Sequence, residues 1–128
     1  LILVDTSVWI DHFRKPNTAL EHLLENVRIV GHPWVTGELA LGSLSRRAEI
    51  IGLLRALPQA TEAHPGEILR LIDQESLHGT GIGYVDAQLL AAARLTPDTS
   101  LWTADKRLSA AAVRLGVEFR PPGPSASG

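Results

Sequence analysis

The sequence predicts a parallel α/β fold, a sheet with helices on both faces. Two observations carry this. Short apolar runs alternate along the chain with segments of helical spacing, the pattern of strands joined by helical crossovers. The first run, Leu1–Val4, is apolar without alternation, as in a strand buried on both faces.

The elements follow in order. After the first strand, Thr6 or Ser7 suits the cap of a short helix reaching Phe13, and Pro16-Asn17-Thr18 breaks it. Leu20, Leu23, Leu24 and Val27 fall on one helix face. Arg28–Val30 reads as a strand, and Pro33 suits the first turn of a helix to Leu44. Ile50, Leu53, Leu54 and Leu57 give another helix, ended by Pro58. Residues 59–62 read as a weak strand. Ile68, Leu71 and Ile72 mark a helix up to Gly79. A loop with Gly79, Gly81 and Gly83 leads to a helix over 84–95, and Pro97-Asp98 is a turn. Ser100–Thr103 reads as a strand, Lys106–Leu115 as a helix closed by Gly116, and Val117–Phe119 as a last strand. Residues 1–120 thus make one domain. Residues 121–128, Pro-Pro-Gly-Pro-Ser-Ala-Ser-Gly, have nothing to bury and are expected to be disordered.

Length and composition narrow the function. The 128 residues suffice for one core, and 45% apolar with 20% charged residues is ordinary for a soluble domain. Cysteine is absent, which excludes disulfides and thiolate metal sites. The apolar start is too short for a signal peptide, and no run approaches the ~18 residues of a membrane span. These features read as a cytoplasmic protein. A net charge of −2 argues against a simple electrostatic grip on nucleic acid. If a metal held Asp5, Glu38, Asp86 and Asp105, ten acids would face twelve bases, leaving a mildly basic surface around an acidic hole.

Those four carboxylates stand in suggestive places. Ligands bind such sheets beyond the carboxyl ends of the strands. Asp5 follows the first strand directly, and Asp105 follows Leu101-Trp102-Thr103; each would serve equally as a helix cap. Glu38 is in line with Trp34, Val35 and Leu41, which places its charge in an apolar stripe, where it needs a counter-ion or a metal. Asp86 lies in the first turn of its helix, in line with Leu89, Leu90 and Ala93, where the helix dipole alone would welcome an acid. Clustered carboxylates repel unless a cation lies between them, and oxygen ligands suit Mg²⁺ or Mn²⁺ rather than zinc. The histidines at 12, 22, 32, 64 and 78 show no metal spacing and read as surface or lightly buried residues.

Four stretches together resemble the PIN-domain family. Leu3-Val4-Asp5-Thr6-Ser7-Val8-Trp9-Ile10 resembles its opening strand, aspartate and helix. Glu38-Leu39-Ala40-Leu41-Gly42 resembles its acidic helix. Asp86 before an alanine-rich helix resembles its third acidic position, and Leu101-Trp102-Thr103-Ala104-Asp105-Lys106-Arg107-Leu108 its closing motif. The order matches across residues 1–119, and the compact length resembles the toxin branch known as VapC. The resemblance implies a three-layer sandwich with a parallel five-stranded sheet. It also implies Mg²⁺- or Mn²⁺-dependent endoribonuclease activity, with Asp5, Glu38, Asp86 and Asp105 around one or two ions. Thr103, with Thr6 or Ser7, would support them by hydrogen bonds. It further implies a cognate antitoxin protein and a homodimer.

RNA would have to be held by other groups. Arg14-Lys15, Arg46-Arg47 and Lys106-Arg107 are candidate phosphate contacts, the last adjoining Asp105, with solvated surface pairs as the alternative; Trp34 and Trp102 are candidates for stacking on bases, although the strand position of Trp102 reads as core. Three other readings compete. A phosphatase of the haloacid-dehalogenase type needs a second aspartate at position 7, which is serine. A receiver domain needs an acceptor aspartate after a middle strand, where residues 59–66 offer only Glu62. A catalytically silent PIN-like binding module would be expected to lack one or more of the acids.

Overall fold

The computed structural model describes residues 1–122. The elements are β1 (Ile2–Val4), α1 (Thr6–Arg14), α2 (Thr18–Glu25), β2 (Ile29–Val30), α3 (Pro33–Ala40), α4 (Arg47–Ala56), α5 (Pro65–Gln74), α6 (Tyr84–Leu95), β3 (Ser100–Trp102) and α7 (Lys106–Leu115). The expected disorder of the tail from Gly123 onward lies outside the described residues. Among the described residues no helix is long and apolar enough to cross a membrane.

The sheet is parallel, in the order β2-β1-β3. Leu3 faces Val30 on one side and Leu101 on the other. All three β1 residues are buried, as their unbroken apolar run requires. Among the described residues the five strands implied by family resemblance are three. Each expected outer strand pairs at a single residue: Gln59 beside Gly31, and Glu118 beside Leu101. The backbone explains the brevity. Gly31 N–H donates to Pro58 O and Ala60 N–H to Gly31 O, but Pro58 has no N–H to extend the ladder. At the other edge Leu101 N–H donates to Val117 O and Phe119 N–H to Leu101 O, and Pro121-Pro122 stand just beyond.

Several helices end earlier than their apolar spacing suggests. α3 stops at Ala40 rather than Leu44; Leu41 is 91% exposed, so no burial carries the helix further. α2 ends before Val27, which sits exposed in the left-handed region at φ 55°. α5 ends at Gln74 because Ser76 takes φ 51°. The core joins the sheet to Val8, Leu20, Leu39, Leu54, Ile68, Leu89, Leu90 and Leu108, one or two from each helix.

Parallel pairing puts the carboxyl ends of β1, β2 and β3 on one edge. Asp5, His32 and Thr103–Asp105 emerge there, and α1, α3 and α7 start there. α6 packs on β3 and ends shortly before it begins, so α6 also starts at this edge.

Candidate active site

Asp5 occupies the N-cap position of α1, yet its side chain caps nothing. Thr6 and Ser7, expected as caps, lie inside the helix and serve carboxylates instead. Asp5 is 6% exposed. Its Oδ2 accepts the Ser7 hydroxyl at 2.7 Å and the Thr103 hydroxyl at 2.8 Å. Those hydroxyls are themselves fixed from behind: Ala104 N–H donates to Ser7 Oγ and Asp105 N–H to Thr103 Oγ1, each at 3.0 Å. The hydroxyl protons therefore point at the carboxylate, which stabilises a charge that would be costly buried alone. Asp5 Oδ1 accepts from no protein group among the described residues.

Glu38 corrects its sequence reading. Its neighbours Trp34 and Leu41 are themselves exposed, and the buried face of α3 is Val35 and Leu39, so Glu38 lies on the wet side. It reaches the site through Thr6, whose hydroxyl donates to Oε1 at 2.7 Å. Glu38 also lines a groove of about 510 Å³ that includes Ile10, Phe13, Arg14, Leu44 and Arg46. The pair Arg46-Arg47 is engaged locally. Arg46 is paired with Glu49, and Arg47 donates twice to Ala40 O, closing the end of α3.

Asp86 is half-buried at the head of α6, where Oδ2 accepts Gly83 N–H at 2.9 Å. Burial holds its carboxyl above the ordinary range, opposed by the Gly83 hydrogen bond and assisted by the charges of Asp5, Asp105 and Glu38. The four acids are thus electrostatic neighbours. Asp105 is exposed and caps α7, its Oδ1 accepting Arg107 and Leu108 N–H at 2.9 Å. Removing that cap by Asp105→Ala should cost about 1 kcal/mol, whereas Asp105→Asn keeps an acceptor and should melt near wild type. A loss of cleavage in Asp105→Asn at unchanged melting temperature would give this carboxylate a role beyond the cap; unchanged cleavage would confine it to α7.

Lys106 and Arg107 are both exposed. The Arg107 side chain lies over Gly81, which has φ 87°; a Cβ there would stand 2.7 Å from its guanidinium. Trp102 is buried against Phe119 and joins the core, not a stacking surface.

His32 departs from the expectation that the histidines are surface or lightly buried residues. It is fully buried at the head of α3, and its Nδ1 accepts Trp34 N–H at 3.1 Å. That leaves the Nε2 proton without a partner, and burial pulls its pKa down against the charge of Glu62. Pro33 at the first helical position was the available signal, since the residue before it must be the cap.

Among the described residues no three His, Cys, Asp or Glu side chains converge on one ion position. This donor set fits Mg²⁺ or Mn²⁺ in the open form those ions favour, with one or two carboxylates and the remaining positions left to water and phosphate. Asp5 Oδ1 and the Asp86 carboxylate are the residues that would hold it.

Comparison with known proteins adds a second line. A family model described as PIN domain matches residues 2–114. Ribonuclease VapC32 of Mycobacterium tuberculosis, in the CDC 1551 / Oshkosh and H37Rv strains, is 45% identical over 117 residues, which cover 91% of this chain and 94% of the relative.

Proposed function

This chain belongs to the PIN-domain family, and from that premise we propose that it is a Mg²⁺- or Mn²⁺-dependent endoribonuclease, the toxin of a type II toxin–antitoxin pair. The observation that carries the reading is the buried Asp5 carboxylate, oriented by Ser7 and Thr103 beside the charge of Asp86. The curated relatives are named ribonucleases, which supports RNA as substrate.

A divalent ion held by Asp5 and Asp86 would acidify a water and offset charge on the scissile phosphate. Ser7 and Thr103 fix the Asp5 carboxylate from two sides. Thr6 holds Glu38, whose exposed carboxylate is available to take a proton from the attacking water. Asp105 holds the start of α7, which carries Lys106 and Arg107 toward backbone phosphates. Water adds to phosphorus as its proton passes to Glu38, the bond to the 3′ oxygen breaks, and that oxygen takes a proton from solvent, leaving a 3′-hydroxyl and a 5′-phosphate. The protein acts in the cytoplasm, as a homodimer, and a cognate antitoxin restrains it.

End-group analysis of the fragments tests the chemistry. A 5′-phosphate is expected, and replacement of the scissile 2′-hydroxyl by hydrogen should leave the chemical step intact. A 2′,3′-cyclic phosphate would rule out attack by water. Among the described residues no three carboxylates converge on one ion position, which favours one alternative, a silent PIN-like binding module. That reading requires RNA to survive prolonged incubation with Mn²⁺.

A further inference from the structure

Most aromatic side chains of this protein are withdrawn from solvent. Trp9 and Trp102 are buried, and Phe13 and Phe119 pack against the core. The exceptions are Trp34 at 39% and Tyr84 at 42% exposure, and these two touch, with ring centroids 5.8 Å apart in an edge-to-face arrangement. Trp34 lies in the first turn of α3 and Tyr84 begins α6, so the pair joins the starts of the two helices that carry Glu38 and Asp86.

The surroundings keep the pair open. Glu38 is one helical turn past Trp34 on the same face. Gly37 lies beside it, and a Cβ there would meet nothing within 4 Å, so the space at that position of α3 is open. Asp86 follows Tyr84 by two residues. The loop leading into Tyr84 contains Gly81, under the Arg107 guanidinium, and Arg107 forms no ion pair among the described residues. An exposed π surface therefore adjoins the acidic site, and the loop that leads into it runs under the Arg107 guanidinium. An aromatic face accepts any unpaired base, and an arginine accepts the phosphate attached to it.

We infer that Trp34 and Tyr84 form a stacking shelf for an unpaired nucleobase of the RNA strand, with Arg107 on a neighbouring phosphate. The inference rests on the nuclease reading above and deepens it, since it names the side chains that receive an unpaired base beside the acidic site. In a duplex each base face is already stacked and cannot meet the shelf.

Binding is measured in chelator, where no cleavage occurs, with a short oligoadenylate, the same strand made abasic, and the oligoadenylate annealed to its complement. Wild type should bind the oligoadenylate roughly tenfold tighter than the abasic strand, with tryptophan quenching. Trp34→Leu fills the space without a π face and should lose most of that preference. Trp34→Phe and Tyr84→Phe keep rings and should retain much of it. Melting curves on each variant show that it is folded. Equal abasic preference in folded Trp34→Leu and wild type would overturn the shelf, as would equal affinity of wild type for single strand and duplex, and the aromatic pair would then be free to serve a protein contact. The two readings fail separately: RNA cleavage by wild type with an unchanged Trp34→Leu removes the shelf alone, whereas neither binding nor cleavage by wild type removes both.

Discussion

Asp5→Asn should reduce Mn²⁺-dependent RNA cleavage by about a thousandfold or more, the scale of losing a group on which the whole reaction depends. The variant should still fold. Asparagine keeps one oxygen to accept the Ser7 and Thr103 hydroxyls, so the network on the buried side survives while the negative charge is lost. Asp86→Asn should be comparably damaging, because its oxygen can still accept Gly83 N–H while its charge is gone. Glu38→Gln should keep the Thr6 hydrogen bond and also lose cleavage. Ser7→Ala and Thr103→Val act only through Asp5, so smaller losses of roughly 10–100-fold are expected. Gel assays on labelled RNA, with circular dichroism on every variant, give the order. Full cleavage by a folded Asp5→Asn would end the assignment of this site.

The grading follows from how the site is built, and that also explains how much of it the sequence could reveal. Asp5 is legible because a four-residue apolar run without alternation, too short for a helix, reads as a strand buried on both faces, and the residue at its end then stands at the sheet edge. The service of Ser7 and Thr103 to one oxygen was less so, since the two are brought together by the pairing of β1 with β3. Glu38 was selected for a reason the fold overturns. Its stripe of apolar neighbours is largely exposed, and what ties it to the site is the hydroxyl of Thr6 from another helix. The outer strands were read as strands from composition, but their length depends on how far a neighbour can continue hydrogen bonding. Pro58 and Pro121-Pro122 limit that at both edges. The contact of Trp34 with Tyr84 joins α3 to α6 and has no local signal at all.

Electrostatics at Asp86 predicts how stability should respond to ions and to pH. Its carboxyl is held above the ordinary range first by burial, then by the charges of Asp5, Asp105 and Glu38, against the opposing Gly83 hydrogen bond. Between the ordinary and raised values the native state binds more protons at this group than the unfolded chain does. This contribution to stability therefore falls as pH rises through that window, and the penalty is complete above it. Asp86→Asn should accordingly raise the melting temperature of the ion-free protein at neutral pH. The gain should stay below about 5 °C, because the group is only half-buried and solvent screens it. It should shrink as the pH is lowered toward the ordinary aspartate range, where wild type carries the proton as well. Mn²⁺ should act in the opposite sense. An ion that binds only the native state stabilises it by about 2.7 kcal/mol at ~100 times its dissociation constant, enough to raise the wild-type melting temperature by several degrees. Asp86→Asn should lose most of that response while starting from the higher ion-free value, so the two melting curves should cross as Mn²⁺ is added. Melting series in chelator, Mg²⁺ and Mn²⁺ at neutral and acidic pH measure both effects. An equal Mn²⁺ shift in wild type and Asp86→Asn would place the ion away from these carboxylates, and the shared acidic site would have to be given up.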